Sequence, residues 1–396
     1  DIKKNEVEFR NFYLISAWHR LDQTKTTVYT YEDADVAGNH PQTQTNTTSN
    51  FYGSTHHSFA TKVNTDNSEN EVVQVRNLYP QDITAGTHGN KMANTAQLLL
   101  GQHRIGTPVV SITTRSGKVV GAKYVAYGQF GDLSEKVLPT VSYVTELAAP
   151  IQETALFQTD AQGNYVHFIP KVTFDFEVGT SVLKTTRPTD HHSITYLWNA
   201  NRTLLLAETV NATSEQVNYT SFESAQSLGG WVPSNNYTLA TVAGRSLTGA
   251  KALYQAPGSG SVNIESQLTI DAPATYQVSF WQKGNGTIAI SGVTGSLNPI
   301  KTVGDWKLYQ TKVALNPGGK VTLTVPEGVY LDELRLHPAQ AQMKTYTYRP
   351  LVGVTSMNGV NNQTAYYEYD GLKRLRLVRD FEGNILKRYT YQYKNK

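Results

Sequence analysis

Few side chains in this sequence are arranged for chemistry. The segment Ala256-Pro257-Gly258-Ser259-Gly260-Ser261 sets a serine among glycines, but no strand-to-helix elbow or α/β frame surrounds it, so it is expected to link strands rather than supply a nucleophile. His56-His57 and His191-His192 are adjacent pairs. Neighbours on a strand point to opposite faces, so neither pair can chelate a metal as a pair, and both are expected at the surface. The other histidines lack ligand spacing, and no phosphate-cradling glycine pattern precedes a helix. With no cysteine there is no disulfide, thiolate zinc site or cysteine nucleophile. The basic end is a candidate of another kind. From Leu372 to Lys396 eight Lys and Arg face two acids, and Arg374, Arg376 and Arg379 are candidates for docking an acidic partner surface or anionic lipopolysaccharide. The competing reading is the solvated face of an edge hairpin.

The elements that must position these groups are mostly strands. At 396 residues the chain holds two to three domains. Charged residues are 17%, while Tyr contributes 24 and Gly 30, a β-rich rather than disordered composition. The balance of 35 basic to 32 acidic residues is too even to predict nucleic-acid binding. No apolar run approaches the ~20 residues that cross a bilayer as a helix. The opening Asp1-Ile2-Lys3-Lys4 is expected to be an excised or processed start, and the absence of cysteine fits a bacterial extracellular setting.

Along the chain, alternating segments such as Val7-Glu8-Phe9-Arg10 and Thr27-Val28-Tyr29-Thr30-Tyr31 predict half-buried strands. The polar stretch 33–50 predicts a long loop. One helix is expected near Asn90 to His103, where Met92, Ala93, Ala96, Leu99 and Leu100 approximate a three-four spacing. Val109 to Thr114, Ser116-Gly117 and Val119 to Tyr127 read as a hairpin. Residues 1–215 therefore read as one antiparallel sheet domain with a single helix.

Near residue 216 the strand spacing changes. Tyr219-Thr220-Ser221-Phe222-Glu223, Gly229-Gly230-Trp231, Gly249-Ala250-Lys251-Ala252-Leu253, Tyr276-Gln277-Val278-Ser279-Phe280-Trp281, Trp306-Lys307-Leu308-Tyr309 and Tyr330-Leu331-Asp332-Glu333-Leu334-Arg335-Leu336 follow one another as sandwich strands do. Their order resembles the galactose-binding-like jelly rolls of carbohydrate-binding modules over about 217–338. The resemblance implies that Glu223 and Asp332, on the first and last strands, are neighbours that help hold a structural calcium ion. The bland alternative is that both acids take backbone bonds. Trp231, Tyr237, Trp281 and Trp306 are candidate sugar platforms, since indole and phenol rings bury the C–H faces of sugars; core packing is the competing role for each. Phe280 and Trp281 must face opposite ways, so one of them lies in the core.

From Met343 onward, Tyr367-Glu368-Tyr369-Asp370-Gly371-Leu372-Lys373-Arg374-Leu375, Glu382-Gly383-Asn384 and Tyr389-Thr390-Tyr391 resemble a YD repeat of the RHS family. Lys373 stands where that family carries glycine, a residue suited to positive φ. Asn77-Leu78-Tyr79-Pro80, 98–108 and Tyr196-Leu197-Trp198-Asn199 are similar to the region before the repeats in large RHS proteins of Bacteroidetes. Together these resemblances imply an all-β protein: a YD/RHS-type antiparallel sheet with one short helix, interrupted at 216–340 by a jelly-roll insert and resumed by a repeat tail at 341–396. The implied role is a non-enzymatic scaffold or interaction module of a secreted or cell-surface protein on a Gram-negative bacterium. Its expected partners are envelope or secretion-machinery proteins, or the rest of a longer RHS chain. Glycan binding through the insert, with polysaccharide as ligand, and an accessory role in a secretion complex are the alternatives.

Overall fold

The computed structural model describes residues 19–30, 42–66, 71–130, 133–234, 237–240 and 246–393. The expected strand at Val7-Glu8-Phe9-Arg10 lies outside them. Strand makes up 49% and helix 7%, so the protein is all-β. It divides into two compact units, residues 1–128 with 142–169, and residues 129–141 with 170–396. The division falls inside the expected first domain, while the insert and tail share one unit.

In the first unit, Gln23–Thr30, Gln42–Phe51, Lys62–Asp66, Val72–Leu78, Val110–Arg115 and Lys118–Phe130 pair antiparallel in chain order. Gln42–Phe51 occupies half of the stretch expected to be loop. Its threonines have β-branched side chains that favour the pleat, and partners on both sides supply the ladder; polarity alone hid it. The helix Asn90–Gly101 buries Met92, Ala93, Ala96 and Leu99. Tyr165 holds its start, accepting from the Met92 N–H at 3.2 Å and donating to the His88 carbonyl at 2.5 Å. Gly89, at φ 80°, is needed there because a Cβ would stand 3.0 Å from the Tyr165 hydroxyl.

In the second unit, Phe168–Phe176, Leu183–Pro188, Ile194–Trp198 and Leu205–Val210 pair in order. The next strand in space is Gln342–Arg349, with Val210 opposite Gln342. The chain thus leaves the sheet and re-enters it at adjacent positions. Gly353–Asn358, Thr364–Tyr369, Leu375–Arg379 and Ile385–Arg388 complete this ladder. Between exit and return lies a two-sheet sandwich. One sheet contains Asn218–Thr220, Ala252–Tyr254, Tyr330–Pro338, Ala274–Lys283 and Trp306–Leu315, and the other Trp231–Pro233, Val262–Ser266 and Thr322–Val325. Phe222, Trp231, Ile264, Val278, Phe280, Leu323 and Leu334 fill the space between them.

One turn recurs. In Asp370–Arg374, Asp380–Asn384 and Asp160–Asn164 the aspartate N–H donates to the fifth residue's carbonyl, and its Oδ1 accepts from the third and fifth N–H groups. The fourth residue has positive φ: 63° at Lys373, 91° at Gly383 and 74° at Gly163. This is a tight turn followed by a left-handed bulge residue, and the Asp sets its register. Hydrogen bonds from Arg374, from Asn384 and from the Asn164 N–H respectively hold these three carboxyls below the usual range. Lys373 keeps the turn without glycine, at a steric cost. Lys373→Gly is therefore expected to raise stability by about 0.5–1 kcal/mol, read from the urea midpoint, and Lys373→Ala to leave it unchanged.

Candidate functional site

The densest polar cluster sits where the insert meets the repeat sheet, and a strand irregularity creates it. In Tyr330–Pro338 the core-facing leucines are Leu331, Leu334 and Leu336, a spacing that strict alternation cannot satisfy. The strand bulges: Glu333 and Leu334 stand opposite Phe280, and Glu333 takes φ 51°. The extra residue turns Asp332, Glu333 and Arg335 away from the sandwich core while leaving them buried.

Glu333 and Arg335 bridge the two bodies. Glu333 Oε1 accepts the Tyr219 and Thr248 hydroxyls, each at 2.8 Å, from the insert. Its Oε2 accepts from Thr345 Oγ1 at 2.8 Å, Asn358 Nδ2 at 3.2 Å and Arg335 Nη2 at 3.3 Å. Arg335 also donates to the carbonyls of Met343, Gly359 and Asn358 and to Thr345 Oγ1. Both side chains are 2% exposed or less. A buried pair of this kind is tolerable only because nearly every lone pair and proton is matched.

An aromatic contact lies nearby. Trp281 is on the outer face of the larger insert sheet, with Trp306, Leu308 and Tyr330, and Phe381 of the tail covers them. The Trp281 and Phe381 rings are 4.7 Å apart. Tyr366 adds a 3.0 Å hydrogen bond to the Leu247 carbonyl, and the Lys301 ammonium lies 4.9 Å from the Phe381 ring centre.

These contacts correct the aromatic candidates. Trp231 is in the sandwich core, and Trp281 and Trp306 are sealed under the tail; none presents a free ring to a sugar. Tyr237 is half-buried against the core. Of Phe280 and Trp281, Phe280 points into the sandwich.

Glu223 and Asp332 converge on the loop between Ser246 and Lys251, as acceptors of N–H groups. Glu223 Oε1 takes the Ala250 and Lys251 N–H at 2.9 and 2.8 Å. Asp332 Oδ2 takes those of Leu247 and Thr248 at 2.8 and 3.0 Å, and Oδ1 that of Glu333 at 2.7 Å. Calcium needs about six to eight oxygen ligands, whereas here the groups aimed at the carboxylates are hydrogens, and no cluster of three or more metal-ligating side chains occurs among the described residues. The residues fit a calcium ion poorly. Gly249 has φ 60°, and a Cβ there would stand 2.4 Å from Glu223 Oε1, so a side chain at this position is strained and displaces the carboxylate.

Burial, then the neighbouring Glu333, pushes the Asp332 carboxyl well above its usual range, although three N–H bonds pull the other way. An acid raised in the folded state binds more protons folded than unfolded. Its stabilisation is full below the ordinary Asp value of about 3.9 and is lost as pH climbs toward the folded value. The cost of Asp332→Asn should therefore be smaller at pH 8 than at pH 5 in urea titrations. A cost that grows with pH would contradict this assignment.

The tail arginines are also spoken for. Arg374 pairs with Asp370 at 2.6 Å, and its guanidinium lies 4.3 Å from the Tyr391 ring centre. Arg376 and Arg379 share Glu368, at 3.4 and 2.6 Å. They are internal partners in the repeat hairpins rather than an unmatched basic patch. Among the histidines, His191 and His192 are exposed, but the His57 side chain is 1% exposed, contrary to expectation. It is enclosed by Phe59 and Tyr79. Its Nδ1 accepts the Phe59 N–H, which leaves Nε2 to donate to Asp82 Oδ2 at 2.9 Å. In the glycine-serine loop, the Gly258 and Gly260 N–H groups donate to the Glu327 carboxylate, and Ser259 Oγ donates to the Ala256 carbonyl. Its serine is part of a loop brace.

No family model matches the chain, and no curated protein does. Solved structures give faint likenesses. A family 35 carbohydrate-binding module from Clostridium thermocellum aligns at 20% identity over 30% of this chain and 96% of its own, with TM-score 0.22. The TcdB2-TccC3 structure without its hypervariable C-terminal region aligns at 13% identity over 92% of this chain and 24% of that one, with TM-score 0.19. The enzymatically active domain of bacteriophage CBA120 tailspike protein 4 aligns over 32% of this chain at 11% identity, with TM-score 0.19.

Proposed function

We propose that the chain is a non-enzymatic scaffold and interaction module of an RHS-repeat protein at the outer surface of a Gram-negative bacterium. The observation that carries this reading is the junction. The insert's conspicuous aromatic and ionic groups, Trp281, Trp306, Glu333 and Arg335, are spent on fixing it to the repeat sheet. A module used as a freely tethered ligand reader would keep such groups for its ligand. The recurring aspartate turn at Asp370, Asp380 and Asp160 supports a repeat architecture. No described helix is long and apolar enough to cross a membrane.

The test is cross-linking of this chain in its native cell envelope, followed by co-purification and mass spectrometry. Reproducible cross-links from the sheet or tail to envelope or secretion proteins, or to further repeats of its own chain, are expected. Recovery without protein partners, but with polysaccharide held through 217–338, would replace this reading with the glycan-binding one.

A further inference from the structure

A second feature of the junction is open. Between the repeat sheet and the insert lies a cleft of about 440 Å³, within the size range of small-ligand sites. Leu204, Leu206, Tyr348 and Pro350 form its apolar wall. Tyr348 is fixed in place, donating its hydroxyl proton to the Leu205 carbonyl at 2.7 Å. Lys251 and Arg349 also line the cleft; among the described residues neither forms a close ion pair, although Lys251 lies near enough to Glu223 to attract its carboxylate. Glu223 is on the insert side, with Oε1 held by two backbone N–H groups and Oε2 without a hydrogen bond from the described residues.

The adjoining cavity makes a contrast. It has a similar volume and shares Asn199, Ala200 and Ser227, but its charges are already matched, Arg202 with Glu177 at 2.8 Å and Lys184 with Glu215. The first cleft instead combines an apolar wall with Arg349, which is in no ion pair among the described residues, and with the Lys251 and Glu223 side chains. Those three features call for an apolar side chain, a carboxylate and an N–H donor on one ligand.

We infer that the cleft binds the carboxyl terminus of a partner polypeptide ending in an apolar residue. The terminal carboxylate pairs with Arg349 and Lys251, as a charge-assisted contact, the last side chain rests on Leu204, Leu206 and Pro350, and a peptide N–H donates to Glu223 Oε2. This deepens the interaction-module reading and rests on it. The two fail separately, because cross-linking reports whether partners exist and a peptide titration reports whether this cleft takes a chain end.

The experiment titrates the full chain with N-acetyl-Leu-Leu and with its C-terminal amide, by calorimetry. The acid is expected to bind about tenfold more tightly than the amide. Arg349→Gln and Lys251→Gln should each weaken the acid about fivefold and leave the amide unchanged, and Arg349→Gln should keep the wild-type urea midpoint. Equal binding of acid and amide, or no binding of either at millimolar concentration, overturns the proposal. Binding of 4-methylpentanoate as tightly as the dipeptide would assign the cleft to free apolar acids and overturn the peptide assignment.

Discussion

Replacing Arg335 with methionine is expected to cost about 3–5 kcal/mol of unfolding free energy, the range for stripping one partner from a buried ion pair. Glu333 would remain buried with its other donors, Tyr219, Thr248, Thr345 and Asn358, but without a compensating charge. The carbonyls of Met343, Gly359 and Asn358 would lose a donor at the same time. The double variant Glu333→Gln with Arg335→Met removes the orphaned charge and should recover part of the loss, a coupling that a double-mutant cycle measures. Equilibrium urea unfolding is the readout. A single-variant cost below about 1 kcal/mol, the level of an exposed pair, would mean that the junction is solvated.

Phe381→Ala is the second large effect, expected at about 3–5 kcal/mol for a buried aromatic. Its ring covers Trp281 from 4.7 Å and packs with Tyr366. Removing it opens the outer face of the insert sheet without touching the sandwich core, so the insert should stay folded while Trp281 becomes wet. Tryptophan emission should shift to the red and become quenchable by iodide under native conditions. Unchanged emission together with a large loss of stability would place the damage elsewhere.

How far the sequence alone reached differs from element to element. The change of strand spacing after residue 216 marked the insert, because sandwich strands and hairpin repeats alternate over different lengths. Alternation also required Phe280 and Trp281 to part. It could not say that Phe381, a hundred residues on, covers the second face. The tryptophans were left between platform and core packing for the same reason: a ring on an outer face is a platform only if nothing else packs there.

The bulge at Glu333 left a trace, the uneven spacing of Leu331, Leu334 and Leu336, and following it would have found the ion pair. The tail's positive charge was counted from Leu372 onward, which cut it off from Glu368 and Asp370, its partners one turn or one strand earlier. Residues 42–50 were read as loop because apolar alternation was the criterion, and a threonine ladder paired on both sides needs none. Glu223 and Asp332 were expected to be neighbours on the first and last strands of the insert; both accept N–H groups of the loop 246–251, and whether a carboxylate faces carbonyls or N–H groups is a backbone property that no side-chain pattern records.

The central claim is that insert and repeat sheet are one cooperative body rather than a module on a tether. Native-state hydrogen exchange with mass spectrometry on the full chain tests it most directly, comparing Tyr330–Pro338 of the insert with Gln342–Arg349 of the sheet. Joint opening is predicted, with both segments losing protection together in Arg335→Met. An insert that exchanges by its own opening while the sheet strand stays protected, unaltered by that substitution, would contradict the account.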